Sequence, residues 1–271
     1  MSKTQKELAF IDDLFIRGDW TRRFAAIVDE HIQFAKAGKL LYYNSGSGTH
    51  ALELRERFDE NAEISAVSET SELQMISQAK LDVIDADESR ADQNFAEINF
   101  IHEAPDKNFD AVLADASFVH PRDLPEFIEK MSHFSGKELA VFVPTAGSFG
   151  EIFSFLWETF LNTDLLEHSP EIENLINELP TVSHLEEIFK NAGLRGVQSF
   201  TRTEIFEFES GEDFVRNPLL EDFLFPAWLG FLDENEKERV KKELAQTVDN
   251  EDGTMTFHFS TKATLVVGEK N

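Results

Sequence analysis

Leu8, Ile11, Leu14 and Phe15 are spaced so as to share one face of a helix near the start of the chain. Arg17, Gly18 and Asp19 interrupt this pattern. A second amphipathic helix is expected from about residue 21 to residue 37, with Phe24, Ile27, Val28, His31 and Phe34 along one side. From Lys39 the rhythm changes. Short apolar runs at 39–43, 63–67, 98–102, 109–115 and 138–143 alternate with amphipathic stretches at about 50–58, 71–87, 122–134 and 149–161. Strand-length runs separated by helix-length segments mark βαβ units, so a doubly wound parallel α/β sheet is expected, with helices on both faces.

The last third reads differently. Residues 183–192 form a short capped helix closed by Gly193, and 194–210 alternate as an extended strand. An aromatic segment, "NPLLEDFLFPAWLGFL", precedes a charged helix at about 234–248. The run 253–271 then alternates long enough for another strand. Two long alternating strands after five short apolar ones predict a mostly parallel seven-stranded sheet finished by an antiparallel pair. Residues 1–38 would form a helical cover and 39–271 the main domain, with aromatic-rich insertions at about 162–182 and 210–250.

Charge and composition narrow the function. In 271 residues, 25 Lys and Arg face 52 Asp and Glu, a net charge of -27, and no basic cluster interrupts the acidic field. Such a chain repels phosphate backbones and anionic bilayers, so neither nucleic acid nor membrane is expected as a partner. Without cysteine there is no disulfide, thiolate nucleophile or Cys-ligated zinc. The polar N-terminus lacks the apolar run of a signal peptide, which leads to the expectation of a soluble cytoplasmic protein. The only tyrosines, Tyr42 and Tyr43, lie on the first strand, which removes the Tyr/Lys pair of a short-chain dehydrogenase. No Gly-Lys-Ser/Thr, H-E-x-x-H or G-x-S-x-G is present, so P-loop, zinc-hydrolase and nucleophile-elbow chemistry are set aside and no metal site is expected.

The stretch "LLYYNSGSGTHAL" (residues 40–52) runs from a buried strand through a glycine turn into a helix. Glycines there bring backbone N–H groups close to a ligand, and the helix N-terminus favours negative charge. Together with the order of the other segments and the finishing strand pair, it resembles the first motif of the class I S-adenosylmethionine-dependent methyltransferases, whose Rossmann-like sheet has this order. The resemblance covers about residues 39–157 by motif, and the C-terminal strands by pattern.

By that resemblance, Asn44, Gly46, Ser47 and Gly48 would form the cofactor loop. Ser68 and Glu69 would stand where an acid holds the ribose, Glu103 and Ala104 near the adenine, and Asp115 to Phe118 where the fourth strand opens onto the reacting methyl. Three residues depart from the family pattern: Asn44 for an acid, His50 for a third glycine and Ser68 for the ribose acid. Asparagine keeps an acceptor and loses the charge, a weakening of about 1–2 kcal/mol.

The resemblance implies in-line methyl transfer from S-adenosylmethionine to a small, apolar or neutral molecule. Asp115 and His120 are the candidate catalytic groups, His120 being the better base by its intrinsic pKa; a turn histidine before Pro121 is the other reading. Thr145 and Ser148 put hydroxyls at the end of the fifth strand, and Ser148 is also a natural N-cap for a helix starting at Phe149. The aromatics Phe153, Phe155, Trp157, Phe160, Phe223, Phe225, Trp228 and Phe231 line a substrate chamber or fill a core. The alternative function is an inactive protein of this fold, with weakened or lost cofactor binding, serving as a binding or scaffold protein.

Overall fold

The computed structural model describes residues 3–34, 38–87, 89, 94–251 and 257–270. Seven strands form one sheet: β1 (Lys39–Tyr43), β2 (Glu63–Val67), β3 (Glu97–Ile101), β4 (Phe109–Asp115), β5 (Ser135–Thr145), β6 (Arg195–Phe208) and β7 (Phe257–Glu269), in the order β3-β2-β1-β4-β5-β7-β6. Strands β1 to β5 pair in parallel, and an antiparallel pair completes the sheet. Leu40, Leu41 and Tyr42 are buried, as an inner parallel strand covered on both faces requires.

The chain leaves β1 toward β2 on one side and reaches β4 on the other, so the strand order reverses beside β1. That reversal opens a crevice at the strands' carboxyl ends, where such sheets hold ligands. Register puts three segments level there. Tyr43 pairs with both Val67 and Ala114, so Asn44, Ser68 and Asp115 follow at the same height.

The helices that matter to this crevice are α1 (Gln5–Ile11), α2 (Arg22–His31), α3 (Thr49–Arg55) and α4 (Ser71–Asp85). Thr4 and Glu7 form a capping box at the start of α1. The expected break at Arg17-Gly18-Asp19 does not occur: Asp12–Thr21 continues from α1 to α2 as a π-helix. The expected apolar stripe is also overturned. Leu14 is 68% and Phe15 50% exposed, while Asp12, Ile16, Arg17 and Trp20 are buried. The wider π-helix changes which residues share a face, so a stripe spaced for an α-helix turns outward. Helix α2 ends at His31; expected helical residues 35–37, and residues 253–256 of the final strand run, lie outside the described residues.

The chain divides into two compact units. The first comprises residues 1–143, 182–201 and 264–271; the second, 144–181 and 202–263. The core of the first gathers Leu41, Val112, Ile128, Val141, Phe189 and Val266. Both stretches expected as insertions fall in the second unit, apart from residue 182. Its aromatics pack on one another: Phe153 and Phe149 lie 5.2 and 5.0 Å from the Trp228 ring, and Phe206 stacks on Phe259 at 5.0 Å. Phe153, Phe160, Phe225 and Trp228 are buried, so they are core, each worth about 1.5–3 kcal/mol of burial. Ser148 is not the expected N-cap: its Oγ donates to the Thr145 carbonyl at 2.7 Å and accepts from Lys262 N–H, and the following helix starts at Gly150. Among the described residues no helix is long and apolar enough to cross a membrane.

Candidate cofactor site

After β1 the backbone enters the left-handed region at Asn44, Gly46 and Gly48, with φ of 59, 58 and 74°. Asparagine tolerates that conformation better than most residues, and its Nδ2 donates to the Asp115 carbonyl at 2.9 Å. Gly48 cannot be replaced cheaply, because a β-carbon there would meet the Phe100 ring at 2.5 Å. Ser68, at the position of the family's ribose acid, donates to the Gly46 carbonyl at 2.8 Å. Asn44 and Ser68 thus pin the loop from inside. Glu69, one residue on, accepts the Gly46 N–H at 3.0 Å.

Arg17 reaches into this loop from the π-helix. All five of its N–H donors are used: Nε and Nη2 bond Asp12 at 2.7 and 3.2 Å, Nη2 also bonds Glu69 at 2.7 Å, and Nη1 bonds Asp115 at 3.1 Å and Thr21 at 3.4 Å. Its side chain is only 4% exposed, and a β-carbon on Gly46 would fall 2.0 Å from Nε. Burial works against the charged guanidinium, yet the carboxylates of Glu69, Asp12 and Asp115 hold its pKa well above the ordinary arginine value. Burial pushes Asp12 upward against the pull of Arg17, and pushes Asp115 up to about 6 against Arg17 and the hydrogen bonds from Ser117.

Two further groups fasten the N-terminal segment to the loop. Lys80 Nζ bonds Asp13, and also Ser47 Oγ at 3.1 Å and Thr49 Oγ1 at 2.8 Å. Ser47 Oγ donates to Asp13 at 2.5 Å. His50, in place of a third glycine, is buried between Tyr42, 3.1 Å from Nδ1 to the hydroxyl, and Asp29 of α2, 3.2 Å from Nε2. It occupies the packing seam of strand, helix and cover. Burial pushes the Asp29 carboxyl up, but the hydrogen bonds of His50 and Arg57 outweigh it and bring it to about 2. Asp29, His50 and Glu53 bring ligand atoms within 4.8 Å of one another, but both Asp29 oxygens are held by Arg57.

The remaining expected residues scatter. Glu103 and Ala104 follow β3, with Glu103 exposed. His120 sits exposed at the turn before Pro121, where its Nδ1 accepts the Arg122 N–H at 3.3 Å. Asp115 joins the Arg17 cluster. Arg17, Asp12 and Lys80 were missed from sequence. Arg17 reads as part of an interruption with Gly18 and Asp19, and no local pattern marks Asp12 or Lys80.

The donor set at the loop suits a cationic, hydroxyl-bearing cofactor, but the space does not. Beside Gly46 the Arg17 guanidinium fills the room between Glu69 and Asp115. The cavity left beyond it, bordered by Arg17, Thr21, Ala25, Ser45 and His50, is about 110 Å³, against roughly 300–1,000 Å³ for typical ligand sites. Ser45 Oγ lies buried there without a hydrogen-bond partner. In this conformation the residues do not accommodate S-adenosylmethionine. A roomier apolar groove of about 870 Å³ runs between α1, α3 and α4, past Phe10, Leu52, Met75 and Val83; it lies outside the glycine turn.

No family model matches the sequence, and no curated protein matches it in sequence. Solved structures do match its fold. The YcgJ protein of Bacillus subtilis is 12% identical, covers 93% of this chain and 99% of its own, and has a TM-score of 0.52. A phosphoethanolamine N-methyltransferase of Haemonchus contortus, solved with phosphomonomethylethanolamine and S-adenosylhomocysteine, is 11% identical over 99% of this chain and 59% of its own, TM-score 0.52. The cyclopropane synthase MmaA2 of Mycobacterium tuberculosis is 12% identical over 96% and 87%, TM-score 0.50. Sheet order, glycine turn and these neighbours together identify the fold as that of the class I S-adenosylmethionine-dependent methyltransferases.

Proposed function

We propose that the chain is an S-adenosylmethionine-dependent methyltransferase of small molecules, with its cofactor site at the Gly46–Gly48 turn. The observation that carries this reading is the placing of Glu69. Its carboxylate follows β2 by two residues and is hydrogen-bonded to the Gly46 N–H, next to Ser68, which by resemblance takes the ribose acid's place. Asp115 lies level with Ser68 across β1, and both it and Glu69 bond Arg17. The structure of this fold solved with S-adenosylhomocysteine supports the choice of cofactor. Of the aromatics of the C-terminal half, Phe153, Phe160, Phe225 and Trp228 are core, and the acceptor is left at the class of small molecules.

A second reading is favoured by Arg17. A buried guanidinium with every donor bonded, lying on Gly46, is what a protein of this fold would carry had it given up its cofactor and become a binding protein. Calorimetric titration of the purified chain with S-adenosylmethionine and S-adenosylhomocysteine separates the two. Saturable heat supports the first, and none at millimolar ligand supports the second.

A further inference from the structure

We infer that the Asp12–Thr21 segment is a two-state plug: its π-helical form seats Arg17 in the cofactor site as a resident cation, and the site takes the cationic sulfonium cofactor only when that segment withdraws. The inference rests on the methyltransferase reading above and goes beyond it in naming what competes with the ligand.

Two observations carry it independently. The first is the seat itself. Glu69 and Asp115 flank the space beside Gly46, and the positive group they hold is Arg17. Asp12 lies on the same helix as Arg17, so both withdraw with the segment and only Glu69 and Asp115 remain, facing a site that then favours a cation. S-adenosylmethionine carries a sulfonium cation that S-adenosylhomocysteine lacks.

The second is the mismatch between the segment's sequence and its helix. Residues five apart, such as Asp12 and Arg17, meet in a π-helix, whereas at about 100° per residue in an α-helix they point about 140° apart. The π form therefore makes the Arg17–Asp12 pair while leaving Leu14 and Phe15 in solvent. The α-helical spacing of Leu8, Ile11, Leu14 and Phe15 supports the other register, in which that pair breaks and those apolar groups share a face. A segment whose polar contacts favour one register and whose apolar pattern favours another is a bistable element of the kind ligands bias.

When only the open fraction binds, apparent affinity falls by that fraction. A minor state of roughly 0.1–10% therefore weakens binding about 10- to 1,000-fold. The test compares the full chain with Arg17→Gln, and with Arg17→Gln/Asp12→Asn, which leaves fewer buried acids unpaired. Circular dichroism checks their folding, and each is titrated with S-adenosylmethionine and S-adenosylhomocysteine.

The expected result is at least tenfold tighter binding of S-adenosylmethionine by a folded variant, and a greater gain for it than for S-adenosylhomocysteine. In the unaltered chain, ligand should also speed amide exchange across residues 12–21. Equal affinity in the unaltered chain and the variants overturns the plug and leaves the methyltransferase reading standing. Folded variants that bind neither ligand overturn both.

Discussion

Arg17 and Gly46 share one space: a β-carbon on Gly46 would lie 2.0 Å from Nε and 2.2 Å from Cζ of the guanidinium. Gly46 is also left-handed, with φ of 58°. Alanine there has two separate costs, about 1–2 kcal/mol of backbone strain and the displacement of a buried, fully bonded arginine. The expected loss for Gly46→Ala is about 2–4 kcal/mol, measured by urea denaturation. In an Arg17→Ala background only the strain should remain. Equal losses in both backgrounds would show that the two residues do not compete.

How much of this could be read from sequence differs between sheet and site. Parallel strands buried on both faces leave unbroken apolar runs, so β1, β2 and β4 were located to the residue, and the glycine turn followed from Gly46 and Gly48. The cover could not be read the same way. Helix periodicity assumes α geometry, and in Asp12–Thr21 the π-helix buries Asp12 and Arg17 while exposing Leu14 and Phe15. Burying an arginine depends on Glu69, just after β2, and Asp115, at the end of β4, converging on it, and contacts 52 and 98 residues away in sequence leave no local pattern. His50 stood out as a departure, but its partner Asp29 became visible only when α2 was placed.

Lys80 holds the plug segment to the loop through Asp13, Ser47 and Thr49. Its side chain is 29% exposed, so screening limits the ion pair to about 1 kcal/mol or less. Lys80→Met keeps most of the stem and removes the charge. Loss of that amount raises the open population about fivefold, so amides of residues 12–21 should exchange up to about fivefold faster while those of β1 are unchanged. Unchanged exchange in the segment would mean that Lys80 does not restrain it.

His50 joins Tyr42 of β1 to Asp29 of α2. Alanine is the best helix former, so His50→Ala loses no helix propensity. What it removes is the partner of a buried hydroxyl and part of the support of Asp29. The expected loss is about 1–3 kcal/mol, seen as a fall in melting temperature of roughly 2–4 °C per kcal/mol. Tyr42→Phe in the same chain should cost less than it does alone, since its hydroxyl partner is already gone. Strictly additive losses would place the effect of His50 elsewhere.

Asp115 ties stability to pH. Its carboxyl is raised from about 3.8 to about 6 by burial, against the opposing pull of Arg17 and Ser117 and with added repulsion from Glu69. Between those values the native chain binds a proton that the unfolded chain has released. The contribution of Asp115 is therefore fully present below about pH 4, is lost as pH rises through about 6, and levels off above it. Its size is on the order of 3 kcal/mol, from about two pKa units at 1.36 kcal/mol each. Arg17, Ser117 and Glu69 face this carboxyl, with the Tyr42 hydroxyl nearby and held neutral. Other acids titrate over the same range, so the quantity to measure is the difference between the chain and Asp115→Asn. Urea denaturation at about pH 4.5, 5.5, 6.5 and 7.5 should show the unaltered chain losing stability relative to the variant as pH rises, with the change centred between about 4 and 6. Removing the opposing charge with Arg17→Gln should move that window upward, because burial and Glu69 are then opposed only by the hydrogen bonds from Ser117. A constant difference across the range would mean that Asp115 keeps one protonation state and that Arg17 is not held by a titrating partner.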